Sequence, residues 1–271
     1  MVSAGAVGAR AQSVSPIAFD PNNAALPTAL VITADGTALS SDGSTASSLA
    51  VALPRGTRVD TAARSVLCSR AQAARGTCPL DSRIGFGRFV VAVDDYLPDG
   101  RTELTWSLDA YLGSPAQRGD VASVVLAATL LGADSVATLL EPALGTGVPR
   151  TATTVGRLVR RRSGAYGYEL RFPALPAALQ VAAPATAAPA RLELSLSAVR
   201  RTRQNFIRRY RIRTPSGYEV RRIRDHRLVG HELLRTPRSC SGSWPYELTV
   251  GFPGGVQRSA GRLPCLKALS V

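Results

Sequence analysis

Four cysteines, two histidines and a long run of arginines are the residues of this chain best equipped for chemistry. Cys68 and Cys78 enclose nine residues, and Cys240 and Cys265 enclose twenty-four. Structural zinc is gripped by close pairs such as C-x-x-C, where one knuckle presents two thiolates to one ion. Neither spacing makes a knuckle, and a redox C-x-x-C is also missing. Two local pairs, each straddling a turn-sized element, read instead as disulfides Cys68–Cys78 and Cys240–Cys265. That places the chain in an oxidising compartment. The alternative is four unpaired buried thiols in a reducing one.

The remaining chemical motifs fall short. "HELLR" (231–235) begins like the H-E-x-x-H of zinc proteases, but Arg235 stands where the second ligand is required. His226 and His231 are five apart, on opposite faces of a strand. There is no G-x-S-x-G elbow, and no S-x-x-K, since Lys267 is the only lysine. Gly85-Phe86-Gly87 lacks the third glycine of a dinucleotide fingerprint and reads as a strand bend. "DDYLPDG" (94–100) has the wrong spacing for a calcium loop and reads as an acidic hairpin loop. The sequence therefore predicts no catalytic residue, no metal site and no cofactor. Paired carboxylates brought from distant strands, as in glycoside hydrolysis, leave no local trace.

The arginines are different. Residues 191–240 carry 14 arginines against 4 acidic groups, whereas residues 1–149 carry 10 against 13. The whole chain's net charge of +14 is thus concentrated in one region. Within it, "RRTRQNFIRRYRIRTPSGYEVRRIRDHRLVGHELLR" has a turn signal at Thr214-Pro215-Ser216-Gly217. On the first arm Phe206, Arg208, Tyr210 and Ile212 share one face, and Ile207, Arg209, Arg211 and Arg213 the other. Tyr218, Val220 and Arg222 alternate with Glu219, Arg221 and Ile223 on the second. The reading is a two-stranded ribbon with an arginine-rich face. Arg208, Arg209, Arg211, Arg213, Arg221, Arg222 and Arg224 are its candidate polyanion-binding residues. The competing reading is a solvated hairpin whose charges keep it from pairing with other sheet edges.

The elements that must position these groups are strands. "ELTWSLDAYL" puts Leu104, Trp106, Leu108, Ala110 and Leu112 on one face. "RLELSLSA" does the same for Leu192, Leu194, Leu196 and Ala198, and "SWPYELTVGF" for Trp244, Tyr246, Leu248, Val250 and Phe252. A period of two means strands with one buried and one wet face. Turn signals recur at Asp35-Gly36, Asp42-Gly43, Asp99-Gly100, Ser163-Gly164 and Gly254-Gly255. The prediction is an all-β, antiparallel sandwich or jelly-roll-like fold. It carries one short helix near 69–75, with Ser69 as N-cap and Gly76 as stop, and a protruding basic hairpin near 200–230.

With 271 residues, 45% of them hydrophobic, the chain can bury a large core. Residues 15–271 read as one β-rich domain, with a two-lobed arrangement as the alternative. That break would fall in the Ala/Pro-rich stretch 173–190. Residues 1–14 read as a leader remnant or a disordered start. Ala9-Arg10-Ala11 resembles a signal-peptidase site, without the charged and apolar regions that precede one. "VASVVLAATLLGADSVATLL" (121–140) is long enough to span a membrane. Asp134 and the "GADS" turn signal favour two buried strands instead.

The block "SLAVALPRGTRVD" followed by "CSRAQAARGTCPLDSRIGFG", and the closing block "TPRSCSGSWPYELTVGFPGG…LPC", resemble segments of uncharacterised exported proteins of high-GC Gram-positive bacteria. The resemblance implies a secreted or surface-exposed β-rich protein with two disulfides, and it implies no activity. The Arg-rich stretch 200–238 is longer and more basic than the resemblance would give.

The sequence thus points to a non-catalytic secreted or cell-surface structural or binding module. The second reading is a polyanion-binding protein using residues 200–235. Its partner would be an acidic wall polymer, an anionic membrane or, as a minority case, nucleic acid. A glycan-active hydrolase on the sandwich is the third. A protein partner is compatible with any of them.

Overall fold

The computed structural model describes residues 16–41, 44–94, 101–132, 150–173, 187–215 and 217–268. In chain order the elements are β1 (Ile17–Asp20), β2 (Ala29–Asp35), α1 (Gly36–Leu39), β3 (Ser40–Ser41), β4 (Ser44–Thr45), β5 (Ser48–Pro54), β6 (Arg58–Val59), η1 (Thr61–Ala63), α2 (Arg70–Ala74), η2 (Leu80–Ser82), β7 (Arg83–Asp94), β8 (Arg101–Gly113), β9 (Asp120–Leu130), β10 (Thr151–Arg160), β11 (Tyr166–Phe172), β12 (Ala187–Leu196), β13 (Val199–Thr214), β14 (Gly217–Glu232), β15 (Leu234–Arg235), β16 (Ser243–Phe252) and β17 (Gly255–Pro264). Eleven of the strands form one antiparallel sheet, in the order β1-β2-β12-β7-β8-β9-β10-β11-β5-β16-β17.

The sheet rolls until its two edges meet. Beyond β1, Ala24 N–H donates to the Leu266 carbonyl (2.9 Å) and Leu266 N–H to that of Asn22 (3.1 Å), just past β17. Phe19 of β1 packs edge-on against Trp244 of β16, with centroids 5.9 Å apart. A nearly closed sheet has one interior face, and the period-two residues fill it. Leu104, Trp106, Leu108, Ala110 and Leu112 are buried, as are Leu192, Leu194 and Leu196, and Trp244, Tyr246, Leu248 and Val250. The fold is all-β and consistent with a sandwich or flattened barrel. Strands from both sides of residues 173–190 belong to the same sheet; most of that stretch, 174–186, lies outside the described residues.

Both disulfides form as paired by the sequence. Cys68–Cys78 brings Cα atoms to 5.1 Å and Cys240–Cys265 to 5.9 Å. In the chain-entropy view loops of these lengths contribute about 3 and about 3.5 kcal/mol. The first bridge holds α2 on the outer face of the sheet. There Cys68, Ala73, Tyr111 and Val125 form a small second core. Ser69 caps α2 through a reciprocal box with Gln72, and Gly76 follows at φ +66°, a left-handed stop that favours glycine. The second bridge ties the ends of the β16–β17 hairpin.

Gly85 and Gly87 do not simply bend β7. A Cβ at Gly85 would lie 2.1 Å from the Ser195 carbonyl oxygen, and one at Gly87 2.1 Å from that of Glu193. Glycine is needed there because β12 approaches so closely, beside a register shift between Arg83 and Gly85. Of residues 121–140, the first half is β9 and residues 133–140 lie outside the described residues. Among the described residues no helix is long and apolar enough to cross a membrane. Residues 1–15 and residues 95–100, where the sequence predicts an acidic hairpin loop, also lie outside the described residues.

Candidate polyanion interface

β13 and β14 form a sheet of their own, sixteen residues per strand. At about 3.3 Å per residue the ribbon runs roughly 50 Å. Its residues favour strands: Ile207, Tyr210, Ile212, Tyr218, Val220 and Ile223 are β-branched or aromatic. The reversal is tight. Thr214 pairs with Gly217, which sits at φ +132°, and the Thr214 hydroxyl donates to the Gly217 carbonyl (3.2 Å).

That turn sets the register, and the register decides the chemistry. Directly opposed residues in an antiparallel pair share a face. Arg209 stands opposite Arg222, Arg211 opposite Val220, Arg213 opposite Tyr218, and Ile207 opposite Arg224. Arg201, Arg203 and Leu228 continue the same face toward the foot. One face therefore carries seven arginines: 201, 203, 209, 211, 213, 222 and 224. None of the seven is ion-paired among the described residues. Apart from Glu232 at the foot, which binds Arg235 (3.1 Å), that face has no acidic residue. Arg203 does lie 3.0 Å from His226 Nδ1, which must accept, since a guanidinium only donates.

The opposite face is compensated. It holds Arg200, Arg208, Arg221 and Arg227 together with Glu219 and Asp225. Arg208 pairs with Asp225 (3.3 Å) and lies over the Phe206 ring. Arg221 pairs with Glu219 (3.5 Å), and Arg227 donates to Gln204 (2.9 Å). Of the seven arginines singled out from sequence, five converge on the open face. Arg208 and Arg221 do not. Arg201 and Arg203 join them instead. Alternation within the first arm already separates Arg208, and the two-residue turn is the signal for the rest, because it fixes which faces of the two arms combine.

The open face also shows apolar groups to solvent. Ile207 is 60% exposed, Tyr218 71%, Val220 53% and Leu228 68%. No core lies beneath them.

The ribbon joins the body at its foot. Leu233 N–H donates to the Ala198 carbonyl (2.8 Å), and Asp60 N–H to that of Leu233 (3.0 Å). β15 pairs with β6, placing Arg235 opposite Arg58. His231 Nδ1 lies 2.8 Å from Asp60 Oδ2, while its Nε2 lies 3.1 Å from the Thr202 hydroxyl. His226 and His231 fall on opposite ribbon faces and share no ligand. Among the described residues no group of three His, Cys, Asp or Glu side chains converges as a metal site.

The charges of the sheet are organised otherwise. Glu169, on β11 and 6% exposed, accepts from Arg171 (2.7 Å) and from Arg161. Burial works to raise its pKa, but the two arginines outweigh burial and hold it below the usual carboxylate value. The Arg157 guanidinium, bonded to Asp120 at 2.7 Å, likewise lowers the Asp120 pKa against burial.

Comparison with models of protein families, with curated proteins and with solved structures finds no match to this chain.

Proposed function

We propose that this chain is an exported, cell-surface binding module that engages an anionic polymer along the open face of the β13–β14 ribbon. The observation that carries this reading is the segregation of charge. Seven arginines without ion-pair partners share one face, while both acidic residues of the ribbon's outer part neutralise arginines on the other. Arg209 facing Arg222 is a cross-strand like-charge pair, which costs the free protein stability and is relieved by a bound polyanion. Edge protection does not account for the pattern, because it acts on the backbone edges whichever face the charges occupy. Exposed Tyr218, Ile207 and Leu228 between the guanidiniums suit a partner that also offers apolar or ring surface. Two disulfides support an oxidising, extracellular setting.

The test is binding to a phosphodiester wall polymer, single-stranded DNA, anionic vesicles and a neutral polysaccharide at several salt concentrations. Seven neutralised phosphates give a log–log salt slope of about −5, or roughly a thousandfold loss between 50 and 200 mM salt. Serine at the seven open-face arginines abolishes binding. Serine at Arg200, Arg208, Arg221 and Arg227 changes it little. Equal losses from the two variants, or binding indifferent to salt, would sink the reading, and the responsive panel member names the partner class.

A second reading has one observation behind it. The order Thr202 hydroxyl, His231 imidazole, Asp60 carboxylate is that of a hydrolase relay. It requires hydrolysis of a test ester such as p-nitrophenyl acetate that His231→Gln removes. Identical rates for the two proteins end it and leave the three residues as a strut between ribbon and body.

A further inference from the structure

A second convergence of arginine lies in the body. A cleft of about 820 Å3 is lined by Arg55, Arg58, Arg160, Arg161 and Arg162, with Thr57 in its wall. Its arginines come from two chain segments, with Gly119 and Val121 at the start of β9 completing the wall. β11 pairs with β5, Tyr166 opposite Pro54, and Arg55 N–H donates to the Ala165 carbonyl (2.8 Å). This brings the turn after β5 against the end of β10. Of the five guanidiniums, only Arg161 has a carboxylate partner among the described residues, the buried Glu169. Arg55 reaches only the Gly164 carbonyl, at 3.4 Å.

Thr57 is 4% exposed, and its hydroxyl has no hydrogen-bond partner among the described residues. A buried hydroxyl left unpaired forfeits its hydration without compensation, so such groups are normally satisfied. Four uncompensated cations and an unpartnered hydroxyl around one concavity ask for a compact group with several acceptor oxygens and at least one negative charge. Guanidinium forks match tetrahedral oxyanions. The cleft is larger than such an ion alone and falls within the size range of small-molecule sites. The Tyr168 ring, also in its wall, offers a surface for the ring of a sugar.

We propose that this cleft binds a sugar-sized ligand through a phosphate or sulfate monoester. The site stands apart from the ribbon face and does not depend on it, although Arg58 lies opposite Arg235 at the ribbon's foot.

Calorimetric titration of the full chain with glucose 6-phosphate, glucose 6-sulfate and glucose tests this. Both esters should bind, and glucose should not. Losing one charge-assisted hydrogen bond should weaken binding about tenfold, so Arg160→Gln with Arg162→Gln should weaken it by at least that much. The seven-serine ribbon variant should bind the esters unchanged, so loss of polymer binding and loss of ester binding report on separate sites. The second ionisation of a phosphate monoester lies near pH 6. Affinity that rises through that pH for the phosphate ester alone marks phosphate as the ligand class. Affinity flat with pH and greater for the sulfate ester marks sulfate. Absence of binding by either ester, equal binding of glucose, or affinity untouched by the Arg160 and Arg162 substitutions overturns the proposal. Unchanged thermal unfolding of the Arg160/Arg162 variant separates loss of the site from loss of fold.

Discussion

The eleven-stranded sheet and the β13–β14 ribbon are built from the same alternating pattern and come to opposite ends. In the sheet one face of every long strand but the edge strand β17 closes onto a shared interior, with Trp106, Phe89 and Phe172 fully buried. Its least exposed ion-paired carboxylates are held in bonded sets on the outer face: Asp120 with Arg157, and Glu169 with Arg161 and Arg171. The ribbon has no interior. Its apolar residues face water, and among the described residues its arginine ion pairs, Arg208 with Asp225 and Arg221 with Glu219, lie on one face only. An isolated two-stranded hairpin is at best marginally stable in water. Sixteen-residue strands carrying seven cations that have no ion-pair partner among the described residues gain little stability from one another, which is what the proposed contact role would require. On the proposed reading, the sheet serves its own stability and the ribbon serves contact.

The sharpest break between the two is in their response to truncation. Trp106→Ala should cost about 3–5 kcal/mol of unfolding free energy, by loss of buried area and the cavity left behind. Tyr218→Ala at the ribbon tip should stay within about 0.5 kcal/mol while weakening polymer binding. Urea unfolding followed by tryptophan fluorescence reads both. A Tyr218 variant that unfolds as early as the Trp106 variant would mean that the ribbon is part of the cooperative core.

Acid should separate them next. Glu169 and Asp120 both have pKa values held below the ordinary carboxylate value in the folded chain. The stability they contribute is present above the unfolded carboxylate pKa of about 4 and is lost as pH falls through their lower folded values. Glu169→Gln should cost about 2 kcal/mol at neutral pH, by removing a charged acceptor from two arginines. It should also flatten the fall in stability below about pH 4. Denaturant midpoints across pH 2 to 7 measure both effects. The seven-serine ribbon variant should keep the wild-type acid profile. If it loses the profile and the Glu169 variant keeps it, the assignment of charge roles is reversed.

What the sequence disclosed follows the range of the interactions. Period-two alternation exposed the strands, because each strand's burial is a local fact about its own side chains. The cysteine pairs were legible because each closes over a short element. The two ribbon faces were legible arm by arm. Alternation along the first arm alone sets Arg208 apart from Arg209, Arg211 and Arg213; which of Arg221 and Arg222 joins those three needs the register that the Thr214–Gly217 turn sets. Strand order was hidden. β5 lies between β11 and β16, far from both in sequence, and no local pattern announces it. The cleft was hidden for the same reason. Arg55 and Arg58 meet Arg160, Arg161 and Arg162 only because β5 pairs with β11. Arginine spacing carries no trace of that. The Thr57 hydroxyl becomes informative only once it is known to be buried and unpartnered.

The smallest predicted effect discriminates best, because its two readouts move in opposite directions. Arg222 faces Arg209 across the ribbon. Arg222→Glu turns a like-charge pair into an opposite-charge pair, a change of roughly 0.2–1 kcal/mol in favour of the ribbon. Amide exchange at Arg208 and Tyr210, whose N–H groups flank Arg209 and face the partner strand, should slow by up to about fivefold in the free protein. Polymer affinity should fall by more than about tenfold, since one phosphate contact is lost and a repulsive charge gained. Arg221→Glu, on the compensated face beside Glu219, should produce neither change. A ribbon selected for its own stability would carry the charge pair that Arg222→Glu creates. Stability and binding falling together in this variant would show instead that Arg222 supports the fold, and the division between self-sufficient sheet and partner-seeking ribbon would fail at its most exposed point.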